Sequence, residues 1–75
     1  MIHSTILKPP AGMVAFEVQE RRGDSWVCIQ AGMIREPCVA NYDPRDGADV
    51  RVAYVPQGGG GFILGETLNL TRGRR

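Results

Sequence analysis

One histidine, one tryptophan and two cysteines in 75 residues leave little material for most kinds of site. His3 has no candidate base or nucleophile beside it, so no catalytic triad is expected. Cys28 and Cys38 lack the close C-x-x-C spacing of a zinc site. A three-ligand set with His3 is therefore not expected, nor is any other metal or cofactor. Two cysteines can form at most one disulfide, and secreted domains that depend on bridges normally carry more. The pair reads either as a single staple or as two small buried apolar side chains. Charge of one sign is also missing: nine Lys+Arg against eight Asp+Glu give +1, too little to steer nucleic acid to the molecule as a whole. No apolar run approaches the length of a membrane span, and no membrane partner is expected. Met1-Ile-His-Ser has neither a basic n-region nor an apolar h-region, so no signal peptide is expected.

What is present is strand material punctuated by turns. The organising stretch runs from Tyr42 to Pro56. Pro44 presets φ and Asp46-Gly47 tolerates left-handed backbone, which makes a turn. Val50, Val52 and Tyr54 then face one way while Asp49, Arg51 and Ala53 face the other, the period of a strand with one buried face. Pro56 has no N–H to donate and ends the ladder. Upstream, Ile2 to Leu7 alternates as a short strand, and Pro9-Pro10-Ala11-Gly12 breaks it. Met13 to Glu20 alternates with Val14, Phe16 and Val18 on one face. Arg21-Arg22-Gly23-Asp24 makes a hairpin connection. Ser25 to Gln30 follows, and the apolar run from Trp26 through Ile29 suggests burial on both faces or a covering partner. Met33 to Pro37 has room for a helical turn, and Cys38 to Tyr42 resumes as a strand. After the glycines Gly58 to Gly61, Phe62 to Leu70 forms a last strand. There, simple alternation puts Phe62, Leu64, Leu68 and Leu70 on one face unless Gly65 makes a bulge.

With about five to six strands and no amphipathic helix, the class is all-β, a small antiparallel sandwich or open barrel. Residues 1–71 read as a single small β-domain, with 1–12 as an alternative N-terminal arm, and 72–75 as a basic tail. A chain this short buries only about 60% of its unfolded surface, so its core is marginal and a partner is expected to supplement it.

Several motifs resolve to turns. Four glycines followed by Phe62-Ile63-Leu64 lead into a strand, not the helix mouth a phosphate loop needs. Arg22-Gly23-Asp24 matches an adhesive tripeptide but reads as a solvated turn. Asp43, Asp46 and Asp49 are too few oxygens for a calcium loop, and pairing with Arg45 and Arg51 is expected instead. Asn69-Leu70-Thr71 matches a glycosylation acceptor. Arg72, Arg74 and Arg75 are placed to contact phosphate or an acidic surface.

The spacing Tyr42, Pro44, Ala48, Val50, Val52 resembles the fibronectin type III family, which carries an apolar residue, then proline, tyrosine and two valine-like positions at these intervals. Phe16-Glu17-Val18-Gln19-Glu20 resembles the family's third strand, and Trp26 sits where the next strand often carries an aromatic. Ala48 stands where the family has its tyrosine, so the corner hydrogen bond of such sandwiches has no donor here. Of the family's first two strands, only Ile2 to Leu7 has a counterpart. The resemblance implies a truncated immunoglobulin-like sandwich and a non-enzymatic structural or binding module. Such modules are found in tailed-phage virion proteins, in tails and on capsids, which implies a virion location after synthesis in the host cytoplasm, or otherwise a cytoplasmic one.

The residues expected to build the core and the assembly surface are Phe16, Val18, Trp26, Ile29, Tyr42, Val50, Val52 and Tyr54. The expected partners are proteins, either further copies of the chain or larger virion proteins. The alternatives are a small nucleic-acid-binding barrel, with Arg22, Arg51 and the tail on phosphates and Trp26 or Tyr54 stacking on bases, and a phage-type inhibitor or regulator.

Overall fold

The computed structural model describes residues 2–68. Six strands run in chain order: β1 (His3–Ile6), β2 (Met13–Arg22), β3 (Ser25–Met33), β4 (Val39–Tyr42), β5 (Val50–Pro56) and β6 (Ile63–Thr67). They form two antiparallel sheets, one ordered β3-β2-β5-β6 and one made of β1 and β4. No helix occurs among the described residues. The all-β expectation therefore holds, and the helical turn expected in 33–37 does not. Instead β3 runs through Met33, where Ala15 still pairs with it, and the chain then bends toward β4. The first residues pair with β4 from His3↔Tyr42 to Ile6↔Val39, so that stretch belongs to the sandwich.

The core lies between the sheets. Phe16, Val18, Val50, Val52 and Tyr54 from the larger sheet meet Leu7, Cys38, Ala40 and Tyr42 from the smaller one. Period-two alternation places most of these, and bulges account for the departures. Met13↔Pro56 is followed by Ala15↔Val55, so Val14 is an extra residue. It is exposed, against the alternation with Phe16 and Val18, while Met13 packs on the core. Val18↔Gln30 is followed by Gln19↔Cys28, which makes Ile29 the extra residue of β3. Ile29 packs on the core, whereas Cys28 is exposed and Trp26 is half-buried. The Trp26–Ile29 run is thus split between two environments and is not buried on both faces. On β6, Arg51↔Thr67 and Ala53↔Leu64 leave three steps opposite two, a bulge in the Gly65–Glu66 stretch. It turns Leu64 outward and lets Leu68 reach the core.

Two carboxylates tie the sandwich together. Glu20 continues the inward series Phe16, Val18 and is only 1% exposed. It accepts hydrogen bonds from the Arg45 backbone N–H at 2.8 Å and from Arg22 Nε at 2.8 Å, and Arg45 Nε lies 3.6 Å away. It therefore anchors the 43–49 connection, where Ala48 cannot. Burial pushes the Glu20 carboxyl up, but the Arg22 hydrogen bond, the Arg45 N–H and both guanidinium charges together hold it below the ordinary range. On the other side, fully buried Tyr54 donates its hydroxyl to Glu66 Oε1 at 2.6 Å, and Glu66 Oε2 accepts the Lys8 N–H at 2.8 Å. This links β5, β6 and the segment after β1. Burial and the neighbouring Glu66 push the Tyr54 phenol far up, so it stays a donor.

Candidate functional site

Among the described residues no strand packs on the face of the larger sheet that points away from the core. Its central strands β2 and β5 place Gln19 opposite Arg51, and its edge strand β3 places Trp26 opposite Arg21. These four side chains meet. The Arg51 guanidinium lies 4.0 Å from the Trp26 ring centroid, and that of Arg21 lies 6.0 Å from it. Gln19, only 5% exposed, accepts from Arg51 Nε at 2.8 Å and donates to Glu17 Oε1 at 3.1 Å. Arg51 is therefore held over the ring by a buried amide. Stacking of this kind is worth roughly 0.5–1 kcal/mol when exposed and more when desolvated. Tryptophan and arginine are also the side chains that dominate binding hot spots.

Cys28 lies on the same face, with Sγ 3.6 Å from the Gln30 carbonyl oxygen. Burial and the Glu17 charge push its thiol up from an ordinary value near 9.0. Little thiolate is then present near neutrality, which makes it a poor nucleophile. Iodoacetamide at about pH 8 is expected to alkylate Cys28 several-fold more slowly than free cysteine, the gap closing as the pH rises, while buried Cys38 stays unlabelled. Mass spectrometry reads both sites, and labelling of Cys28 at the rate of free cysteine contradicts this. Both cysteines are free, one outside and one in the core, so the staple is not formed and only Cys38 is the buried apolar residue expected.

The second uncovered surface is apolar. Ile6 and Val39 pair at one end of the β1–β4 ladder and are exposed, exposed Ile2 lies at the other end, and exposed Phe62, Ile63 and Leu64 lie at the start of β6. Ile6 is 69% and Leu64 58% exposed. Between β3 and β4 opens a cleft of about 280 Å³ lined by Phe16, Gly32, Met33, Pro37 and Val39 among others.

Of the residues nominated from sequence, Phe16, Val18, Tyr42, Val50, Val52 and Tyr54 lie in the core and Ile29 packs against it. Trp26 sits across the sheet from them. Arg72, Arg74, Arg75 and the Asn69-Leu70-Thr71 tripeptide lie outside the described residues. Arg45 and Arg51, expected on aspartates, meet Glu20 and Gln19 instead. Arg22 of the Arg22-Gly23-Asp24 turn is drawn back onto Glu20, and Gly23 supplies the positive φ of 62°. Among the described residues no group of three or more His, Cys, Asp or Glu is placed to hold a metal. Sequence reading missed Glu20 and Gln19. The available signal for Glu20 was a carboxylate at the third inward position after Phe16 and Val18, which demands a partner.

No family model matches the chain, and no curated protein or solved structure matches it either.

Proposed function

We propose that the chain is a non-enzymatic structural and binding module, a small phage-type virion component of capsid or tail that assembles with other proteins through its sheet edges and apolar surface. The observation that carries this is the set of exposed apolar side chains at edge strands: Ile63 and Leu64 on β6 with Phe62 just before it, and Ile6 and Val39 on the β1–β4 pair with Ile2 just before β1. Edge strands of solitary proteins are normally blunted by charge, proline or cover. An apolar edge accepts a further strand or a packed neighbour.

The connectivity supports a fibronectin type III-like module. The β2–β3 hairpin is followed by a crossing to β4 in the second sheet and a return to β5 beside β2, the Greek-key route of immunoglobulin-like sandwiches. A two-stranded sheet facing a four-stranded one fits the truncation implied by the sequence. The nucleic-acid alternative loses Tyr54 as a stacking platform, because that ring is fully buried. A regulator differs from a virion component in its place: presence in purified particles at high copy favours the latter.

Size-exclusion chromatography with light scattering tests the assembly. The expected result is an oligomer, returned to monomer by Leu64→Lys on the β6 edge. A well-folded monomer at every concentration, with no retention on particle proteins, overturns the reading.

A further inference from the structure

We infer that the Trp26 face of the larger sheet binds an acidic protein segment, whose carboxylates are gripped between the Arg21 and Arg51 guanidinium groups. This rests on the reading of the chain as a protein-binding module and names the chemistry of one partner.

The first argument is unmatched charge. Arg22 and Arg45 form ion pairs with Glu20. Arg21 and Arg51 have none among the described residues. Each uses only Nε, Arg21 on the Gly23 carbonyl and Arg51 on Gln19 Oε1. The terminal nitrogens, which form the fork that fits a carboxylate, stay unused among the described residues. The second argument is preorganisation. Arg51 is fixed by the 5%-exposed Gln19 and by the Trp26 ring at 4.0 Å, so little rotamer entropy is lost on binding. The third is that both guanidinium carbons lie within 6.0 Å of one ring centroid. One short acidic segment can reach both.

The same face disfavours nucleic acid. Sheets that bind single strands offer several aromatic platforms to successive bases. Here there is one ring, and an arginine of the chain already stacks on it. Glu17 adjoins Gln19, and the Asp49 carbonyl accepts the Arg21 backbone N–H. The Glu17 carboxylate beside Gln19 adds a negative charge at the border of the patch, so only a short stretch of positive surface is left, which suits a few carboxylates better than a continuous phosphodiester.

Trp26 is the sole tryptophan, so fluorescence excited at the red edge, where Tyr42 and Tyr54 do not absorb, reports the surroundings of Trp26. The test titrates the full chain with an unstructured peptide of alternating glutamate and serine, and in parallel with oligothymidylate of equal length. The peptide is expected to change the fluorescence saturably and to weaken as salt approaches about 0.15 M. Arg21→Glu is expected to weaken binding about tenfold or more. Arg21 is exposed and contacts only the Gly23 carbonyl and the ring, so this variant should keep the fold, as circular dichroism can verify. Arg51→Lys, which keeps charge but loses the fork, should bind with intermediate affinity.

No saturable change overturns the inference. Equal affinity in Arg21→Glu also overturns it, because binding then lies elsewhere, as on the arginines of 72–75. Tighter, Arg21-dependent binding of oligothymidylate overturns it in favour of nucleic acid. Peptide binding with a strictly monomeric chain sinks the proposed self-assembly through edges but leaves this inference standing. Oligomers without peptide binding do the reverse.

Discussion

Glu20→Ala is expected to destabilise the domain by about 3 kcal/mol, from lost charge-assisted hydrogen bonds and the void left by a buried side chain. A domain of this size has roughly 4–11 kcal/mol in total, so the variant sits near the limit of folding. The Arg22 and Arg45 side chains are 40% and 68% exposed and re-enter water on losing their partner. The cost therefore falls on the Arg45 N–H and on the 43–49 connection that it fixes. Glu20→Gln keeps one oxygen for that N–H but turns an NH2 donor toward Arg22 Nε, so it loses the charge and the Arg22 bond, and about 2 kcal/mol is expected. Urea unfolding followed by circular dichroism measures both. A Glu20→Ala midpoint indistinguishable from that of the parent would show that the corner is held by something else.

The same residue gives the domain an acid sensitivity. Its folded pKa lies below the ordinary 4.5. A lowered folded value means the carboxylate's contribution is complete above about 4.5 and is lost as pH falls through the folded value. Glu66 is also held low: burial raises it, and the Tyr54 hydroxyl and Lys8 N–H outweigh that. It acts with the same sign. The parent's thermal midpoint should therefore drop steeply as pH falls below about 4.5, and Glu20→Gln should drop less without becoming flat.

Gly65→Ala is expected to cost about 3 kcal/mol, although it adds one methyl group. A Cβ at Gly65 would overlap Tyr54 Cε2 and lie 2.9 Å from Cδ2. The Tyr54 ring cannot yield, since it is fully buried and its hydroxyl is fixed on Glu66. The β6 strand must move instead, and the Tyr54–Glu66–Lys8 link goes with it. Gly32 is the control. Its Cβ would sit 2.9 Å from Phe16 Cζ, but Phe16 borders the open cleft between β3 and β4 and can shift into it. Gly32→Ala should therefore cost about 1 kcal/mol. Equal losses in the two variants would mean that neighbouring space does not set the cost.

Much of this fold was legible because strands write their period into the sequence. Val50, Val52 and Tyr54 read inward and are inward. Phe16 and Val18 read the same way and face them. Where reading failed for Val14, an extra residue had changed the phase, since Val14 sits at a register shift; Ile29 also sits at one but packs on the core as expected. The alternative to simple alternation in the last strand, a bulge at Gly65, agrees with the register shift between Leu64 and Thr67. The candidate site was less legible. Trp26 was grouped with the core because its neighbours are apolar, and its pairing with Arg21 and stacking by Arg51 depend on which strands adjoin β2.

By itself the sequence determined the class, the number of strands within one, and the turns at Gly23 and Asp46-Gly47, because these follow from side-chain alternation and local backbone preference. Only the tertiary structure decided that Glu20 ties down the corner left open by Ala48, that Tyr54 is locked to Glu66, and that two arginines converge on one tryptophan. Those contacts join residues far apart in the chain, and a period of two says which face a side chain takes but not which strand lies beside it.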